Sequence, residues 1–177
     1  MTKLSPARRR ALIALMEAQD GRGFVRDILA ASTGTLSDAR DEAFALTLAL
    51  GVTATVGALD EALDRYIAKP SKVSARVRMA LCIPAFEMLY LDTPGHVAVS
   101  QGVELVRSQA RSAAGLANAV LRRVDEGRAA FFAATDVSDG ERELTARARR
   151  QGIPAWLACM LDASLARRGF GGKSLCF

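Results

Sequence analysis

The chain has 177 residues, 50% of them hydrophobic and 24% charged, with 24 Lys+Arg against 19 Asp+Glu for a formal net charge of +5 and a pI near 9.6. That length fits one well-buried core plus a tail, and the composition excludes a disordered or fibrous chain. The basic excess, mostly arginine, favours nucleic acid or another anionic surface as partner, with an ordinary solvated surface as the alternative until placement decides.

Three cysteines with no CxxC pair make neither a disulfide framework nor a zinc site, so a reducing cytoplasm is expected. Cys82 sits in an apolar helical stretch and is expected in the core, as is Cys159, while Cys176 is expected to be exposed. No stretch approaches the ~20 apolar residues of a membrane span, and the basic N-terminus has no convincing cleavage site. The expectation is a soluble cytoplasmic protein without membrane contact, cofactor or metal.

In chain order, Ser5-Pro6 opens the first helix as N-cap and first-turn proline, with Leu12, Leu15 and Met16 at helical spacing and Asp20-Gly21-Arg22-Gly23 as its stop. A short second helix covers Phe24 to Ala31. Ser37-Asp38 caps a third, whose Phe44, Leu46, Leu48 and Leu50 suggest a central element; Gly51 and Gly57 interrupt it mildly and would allow close helix approach, and Leu59, Ala62, Leu63 and Tyr66 form a short fourth. Ser74 opens a fifth helix through Val77, Leu81, Met88 and Leu89, in which Pro84 predicts a kink or two abutting helices.

After the turn Asp92-Thr93-Pro94-Gly95, a helix runs from about Val97 to Gln109, and beyond Ser112-Ala113-Ala114-Gly115 a seventh passes through Asn118 to about Gly127. The character changes after Phe131-Phe132. Ser138-Asp139 can cap a charged helix, Glu141 to Arg150, read as a solvated connector. Ile153-Pro154-Ala155-Trp156-Leu157 starts a last helix, and the tail from Gly169 is expected to fray. Without the period-two alternation of strands, the fold class is all-α, with a domain over 1–130 and a connector and tail over 131–177.

The candidate RNA-binding residues are two basic clusters. Lys3, Arg8, Arg9 and Arg10 lie at the start of the first helix; consecutive arginines fan out, so one of the three must point to the core edge while its neighbours reach solvent. Arg122 and Arg123 end the Leu116–Arg123 segment, with Arg107 and Arg111 as possible neighbours. If the first and seventh helices pack together, all share one face that would hold phosphates through fork-shaped guanidinium groups. Asn118 reads as a half-buried amide satisfying nearby backbone carbonyls, and His96 as a capping or packing residue. The carboxylates Asp60, Glu61 and Asp64, like Asp41-Glu42 and Glu141-Glu143, read as solvated faces rather than catalytic acids, and no catalytic residue is proposed.

Read together, Asn118-Ala119-Val120-Leu121-Arg122-Arg123 and Asp92-Thr-Pro-Gly-His-Val-Ala-Val-Ser-Gln-Gly-Val-Glu-Leu105 resemble the NusB-like helical RNA-binding domain. The resemblance extends over Ser5 to Val124 through Ala7-Arg8 with Ala11, Gly51-Val52, Leu59-Asp60 and Met88-Leu89-Tyr90. It implies a NusB-like helical bundle that binds RNA. Two branches share the domain: a stand-alone antitermination factor acting on boxA-like RNA with a ribosomal protein, and the N-terminal module of RsmB-type ribosomal RNA cytosine-C5 methyltransferases.

The basic pair after Val120-Leu121 and the Pro-x-Trp-Leu pattern at Pro154–Leu157 are similar to the methyltransferase branch. The family's usual glutamate before the Val-Glu-Leu run is Gln101 here, and an arginine common after Gly-Val is replaced by Thr53-Ala54-Thr55. A glycine-rich loop for S-adenosylmethionine and a Pro-Cys or Thr-Cys motif are absent from the sequence, so a non-catalytic RNA-binding role on ribosomal RNA is expected. The alternatives are the antitermination role and, from another class, a protein–protein adaptor or homodimer whose charge serves only solubility.

Overall fold

A computed structural model describes residues 3–32, 34, 36, 38–133 and 140–167. Among them the chain forms nine α-helices and no strand: α1 (Pro6–Gln19), α2 (Val25–Ala30), α3 (Ala39–Asp64), α4 (Ala75–Tyr90), α5 (Gly95–Gln109), α6 (Ala114–Glu126), α7 (Arg128–Ala133), α8 (Gly140–Gln151) and α9 (Ala155–Arg167). The all-α expectation holds. Expectations for Ser37, Ser138-Asp139, Cys176 and the tail from Gly169 fall outside the described residues.

The hub of the bundle is α4, not the third helix that the leucine density suggested. Every residue from Ala80 to Leu89 is buried, as befits a helix that is apolar on all sides, and α4 packs on α3, α5, α6 and α1. Ser74 caps it by accepting from the Val77 N–H at 3.4 Å. Pro84 neither ends nor divides it: the helix is continuous through the proline. Its ring instead faces α5, where a Cβ on Gly102 would lie 2.7 Å from Pro84 Cγ and 2.6 Å from Leu121 Cδ1 of α6. The tight fit of α4, α5 and α6 holds the proline in place, and tertiary packing outweighs the ~3 kcal/mol cost of a helical proline.

The expected third and fourth helices are one rod of 26 residues, capped by Asp38, whose carboxylate accepts from the Arg40 N–H at 2.8 Å. Leu48, Val52, Thr55, Leu59, Ala62 and Leu63 form a single buried stripe through both glycines. A helical glycine costs only about 1 kcal/mol, less than that stripe gains by burial. By length and composition α3 could cross a membrane, contrary to the expectation from sequence. It is nonetheless a core helix, packed against α1, α2, α4 and α6.

Helix α8 is also more than a connector. Ala146 and Ala148 are buried, and the Tyr90 hydroxyl donates to the Arg149 carbonyl at 2.8 Å. Arg149 Nη2 reaches both Glu61 carboxylate oxygens at 2.6 Å, and its guanidinium lies 4.7 Å from the centre of the Phe131 ring. Glu61 thus anchors a later helix instead of facing only water. Likewise Asp60 and Asp64 hold Arg78 of α4, the former at 2.7 Å.

Cys82 is buried in α4 as expected, whereas Cys159 is exposed, contrary to expectation. Burial, and to a lesser degree the charge of Asp60, pushes the Cys82 thiol up to about 12 from 9.0; burial likewise pushes Tyr90 from 10.0 up to about 12. In both cases the neutral form is favoured by folding, so the contribution is intact below pH 9 and is lost as pH rises from 9 towards 12, where only the unfolded chain ionises readily. We therefore expect urea-unfolding free energy to decline above pH 9. At pH 8, iodoacetamide should modify Cys159 and leave Cys82 untouched until the protein is unfolded, as peptide mass spectrometry would record.

Candidate nucleic-acid interface

The arginine triplet of α1 divides by function because successive residues are rotated by about 100°. Arg8 turns inward. Its Nε donates to Glu87 Oε2 at 2.9 Å and its Nη2 to Oε1 at 2.5 Å, with the carboxylate fully buried and the guanidinium 5.2 Å from the Phe44 ring centre. This bidentate pair joins α1 to the hub. Arg10 turns to α2, where it donates to the Ser32 carbonyl at 2.8 Å and the Leu29 carbonyl at 3.3 Å, neutralising the helix's C-terminal carbonyls. Arg9 alone of the three is exposed. The expectation that one arginine faces the core edge is met by Arg8, but Arg10 is also engaged, so the triplet presents one outward cation instead of two.

Arg9 lines a cleft between α1, the start of α4 and the C-terminal end of α5. Arg76 and Arg22 share it with Ser108 and Gln109, against the carboxylates Glu17 and Asp20; the Ser108 hydroxyl donates to the Leu105 carbonyl at 2.6 Å and accepts from the Gln109 amide at 3.0 Å. Glu17 is held loosely by Arg22 at 3.8 Å, the arginine exposed and the glutamate half-buried. Arg111 follows two residues after Gln109 and is exposed. Arg76 and Arg22 were not predicted from sequence: each stands alone, without a basic run to mark it, and only folding brings them to Arg9.

The start of α1 is fixed by a device that the sequence pattern showed only as a departure. Gln101 of α5 donates from Nε2 to the Lys3 carbonyl at 3.0 Å and accepts from the Ser5 N–H at 2.8 Å. An ionised glutamate could accept but not donate, so the amide secures both strands of this contact. Ser5 is the N-cap with Pro6 in the first turn, yet its hydroxyl makes no capping bond. Lys3 itself is exposed.

The second cluster lies elsewhere. Helix α6 packs mainly on α5 and α4, and α1 mainly on α3, α2 and α4, so the expected pairing of these helices does not form. Arg122 lines a groove between α5 and α6 with His96, Ser100 and Asn118, among the carboxylates Glu104, Asp125 and Glu126. Arg107 pairs with Glu104. Arg123 is exposed on α6. The arginines are thus divided between a net-basic cleft at Arg9 and a mixed, mainly acidic groove at Arg122.

Two structural expectations are corrected in that groove. His96 is the exposed second residue of α5 and does not cap it; Pro94 occupies the N-cap position. Asn118 is half-buried, but its amide makes no hydrogen bond with a described residue; it lines the groove, where water can satisfy it and the helix carbonyls are already committed to the ladder.

No curated protein matches the chain. The NusB family matches residues 5–126, a span that begins at the Gln101-anchored Ser5, includes Arg9, Arg22, Arg76 and the whole α4 hub, and ends with α6. Covering most of the sequence, and consistent with the all-helical bundle, that match establishes that the chain belongs to the NusB family.

Proposed function

We propose that this protein is a non-catalytic RNA-binding module of the ribosomal RNA cytosine-C5 methyltransferase branch. Its binding surface is centred on the Arg9–Arg22–Arg76 cleft and continues to Arg111. The observation that carries this reading is the meeting of three arginines from separate segments beside Ser108 and Gln109, outnumbering the two carboxylates there. Guanidinium forks on a rigid helical frame suit phosphate oxygens, which fix an RNA in place without reading its sequence. Lys3 adds an exposed cation at the start of α1, whereas Arg107, paired with Glu104, and Arg123 on α6 belong to the second cluster. Arg8 and Arg10 act indirectly, by holding α1 so that Arg9 faces the cleft, and Arg122, among carboxylates, contributes less.

The branch assignment rests on the basic pair after Val120-Leu121 and on Pro154-Ala155-Trp156-Leu157. Residues 1–130 would form the RNA-binding domain and 131–177 the start of a methyltransferase region. A second reading, the antitermination factor acting on boxA-like RNA with a ribosomal protein, draws support from the α5–α6 groove, whose carboxylates suit a basic protein surface.

The two readings differ in their need for a second protein. Filter retention of labelled ribosomal RNA fragments by the purified chain alone is the expected result. Retention of boxA RNA only when the ribosomal protein is added would instead support the second reading.

A further inference from the structure

Phe24 is 81% exposed. Of the other phenylalanines with described side chains, Phe86 and Phe131 are buried and Phe44 and Phe132 half-buried. In this position the ring gives up most of the burial energy that a phenylalanine contributes to a core. Its backbone is nevertheless held on both sides. Before it, the Asp20, Gly21 and Arg22 N–H groups donate to the carbonyls of Met16, Ala18 and Glu17; after it, the Phe24 carbonyl accepts from Asp27 and Ile28, both at 3.0 Å. Gly21 and Gly23, at φ +77° and +138°, supply the left-handed turns that side-chain-bearing residues resist. The ring is thus presented by a tied loop.

Its chain neighbours two residues to either side are Arg22 and Arg26, both exposed. Two residues span at most about 7 Å, and Arg22 also lines the Arg9–Arg76 cleft. An exposed aromatic ring with an exposed arginine two residues to either side matches a polynucleotide whose bases are unpaired: the phosphates meet the arginines while a base face stacks on the ring. A duplex keeps its base faces covered and has nothing to offer the ring. We propose that Phe24 is a stacking platform for an unpaired RNA base, making a single-stranded segment or loop the preferred ligand of the cleft. This inference rests on the cleft being the RNA-binding surface.

The test compares wild type, Phe24→Ala, Phe24→Trp and Arg9→Ala/Arg76→Ala for binding to a fluorescent unstructured RNA oligonucleotide and to an RNA duplex of equal length. Thermal melts check that each variant folds. Phe24→Ala should weaken single-strand binding roughly 5- to 150-fold with little effect on duplex binding and no change in salt dependence, and Phe24→Trp should retain it. If Phe24→Ala binds both RNAs as wild type does while the arginine variant loses affinity, stacking is overturned and the cleft assignment stands. Equal losses on single strand and duplex would also overturn it. Failure of the wild type to bind either RNA would remove both this inference and the cleft reading.

Discussion

Arg8→Ala should lower the unfolding free energy by about 3–5 kcal/mol, because it leaves a buried charge without its partner. The Glu87 side chain is fully buried, and its two oxygens are both met by Arg8. Removing the guanidinium also removes the cation beside Phe44 and the main electrostatic tie between α1 and α4. The loss should be largely recovered in Arg8→Met/Glu87→Leu, since apolar residues of similar volume often match or exceed a buried ion pair in stability. Urea denaturation of the two variants measures this. Equal losses in both would mean that the packing of α1 matters and the charge pair does not.

Two alanine substitutions at helical glycines should move stability in opposite directions. At Gly102 the new methyl would meet Leu121 Cδ1 at 2.6 Å and the Pro84 ring at 2.7 and 2.9 Å. A proline ring cannot rotate away, so overpacking of about 1–3 kcal/mol outweighs the helix-propensity gain. A net loss of up to about 2 kcal/mol follows from that difference. At Gly57, exposed in the middle of α3, nothing lies within 4 Å of the added carbon, and Gly57→Ala should stabilise by about 0.5–1 kcal/mol. Thermal or urea unfolding reads both signs in one experiment.

Local signals located most of the helices. Ser5-Pro6, Asp38 and Ser74 mark helix starts in sequence and in structure, because a cap depends on residues within one turn. Signals that depend on distant partners were not legible. Gly51 and Gly57 read locally as mild interruptions, yet a continuous buried stripe runs past them; the close helix approach expected of them occurs at Gly51, where a Cβ would overlap the Phe86 ring of α4, and not at Gly57. The charge of α8 hides Ala146 and Ala148, and the docking of Arg149 requires Glu61, 88 positions earlier.

The interface shows the same division. Helical rotation alone predicts that Arg8, Arg9 and Arg10 diverge, but not that Arg8 meets Glu87, 79 positions away. The carboxylate gives no sign of its role beyond standing in an apolar stretch. Arg76 and Arg22 carry no local signature at all, while the conspicuous pair Arg122-Arg123 ends beside carboxylates contributed partly by another helix. A run of like charge in sequence is therefore a weaker guide to a basic surface than the fold that gathers isolated arginines.

The most direct test of the basic cleft is the salt dependence of RNA affinity, measured by fluorescence anisotropy for wild type and for Arg9→Ala/Arg76→Ala/Arg111→Ala. Each phosphate contact on a single strand contributes about 0.7 to the slope of log K against log salt. The triple variant should therefore bind more weakly, with a slope shallower by about 2. A wild-type slope near zero, or a triple variant with the affinity and slope of the wild type, would contradict the assignment.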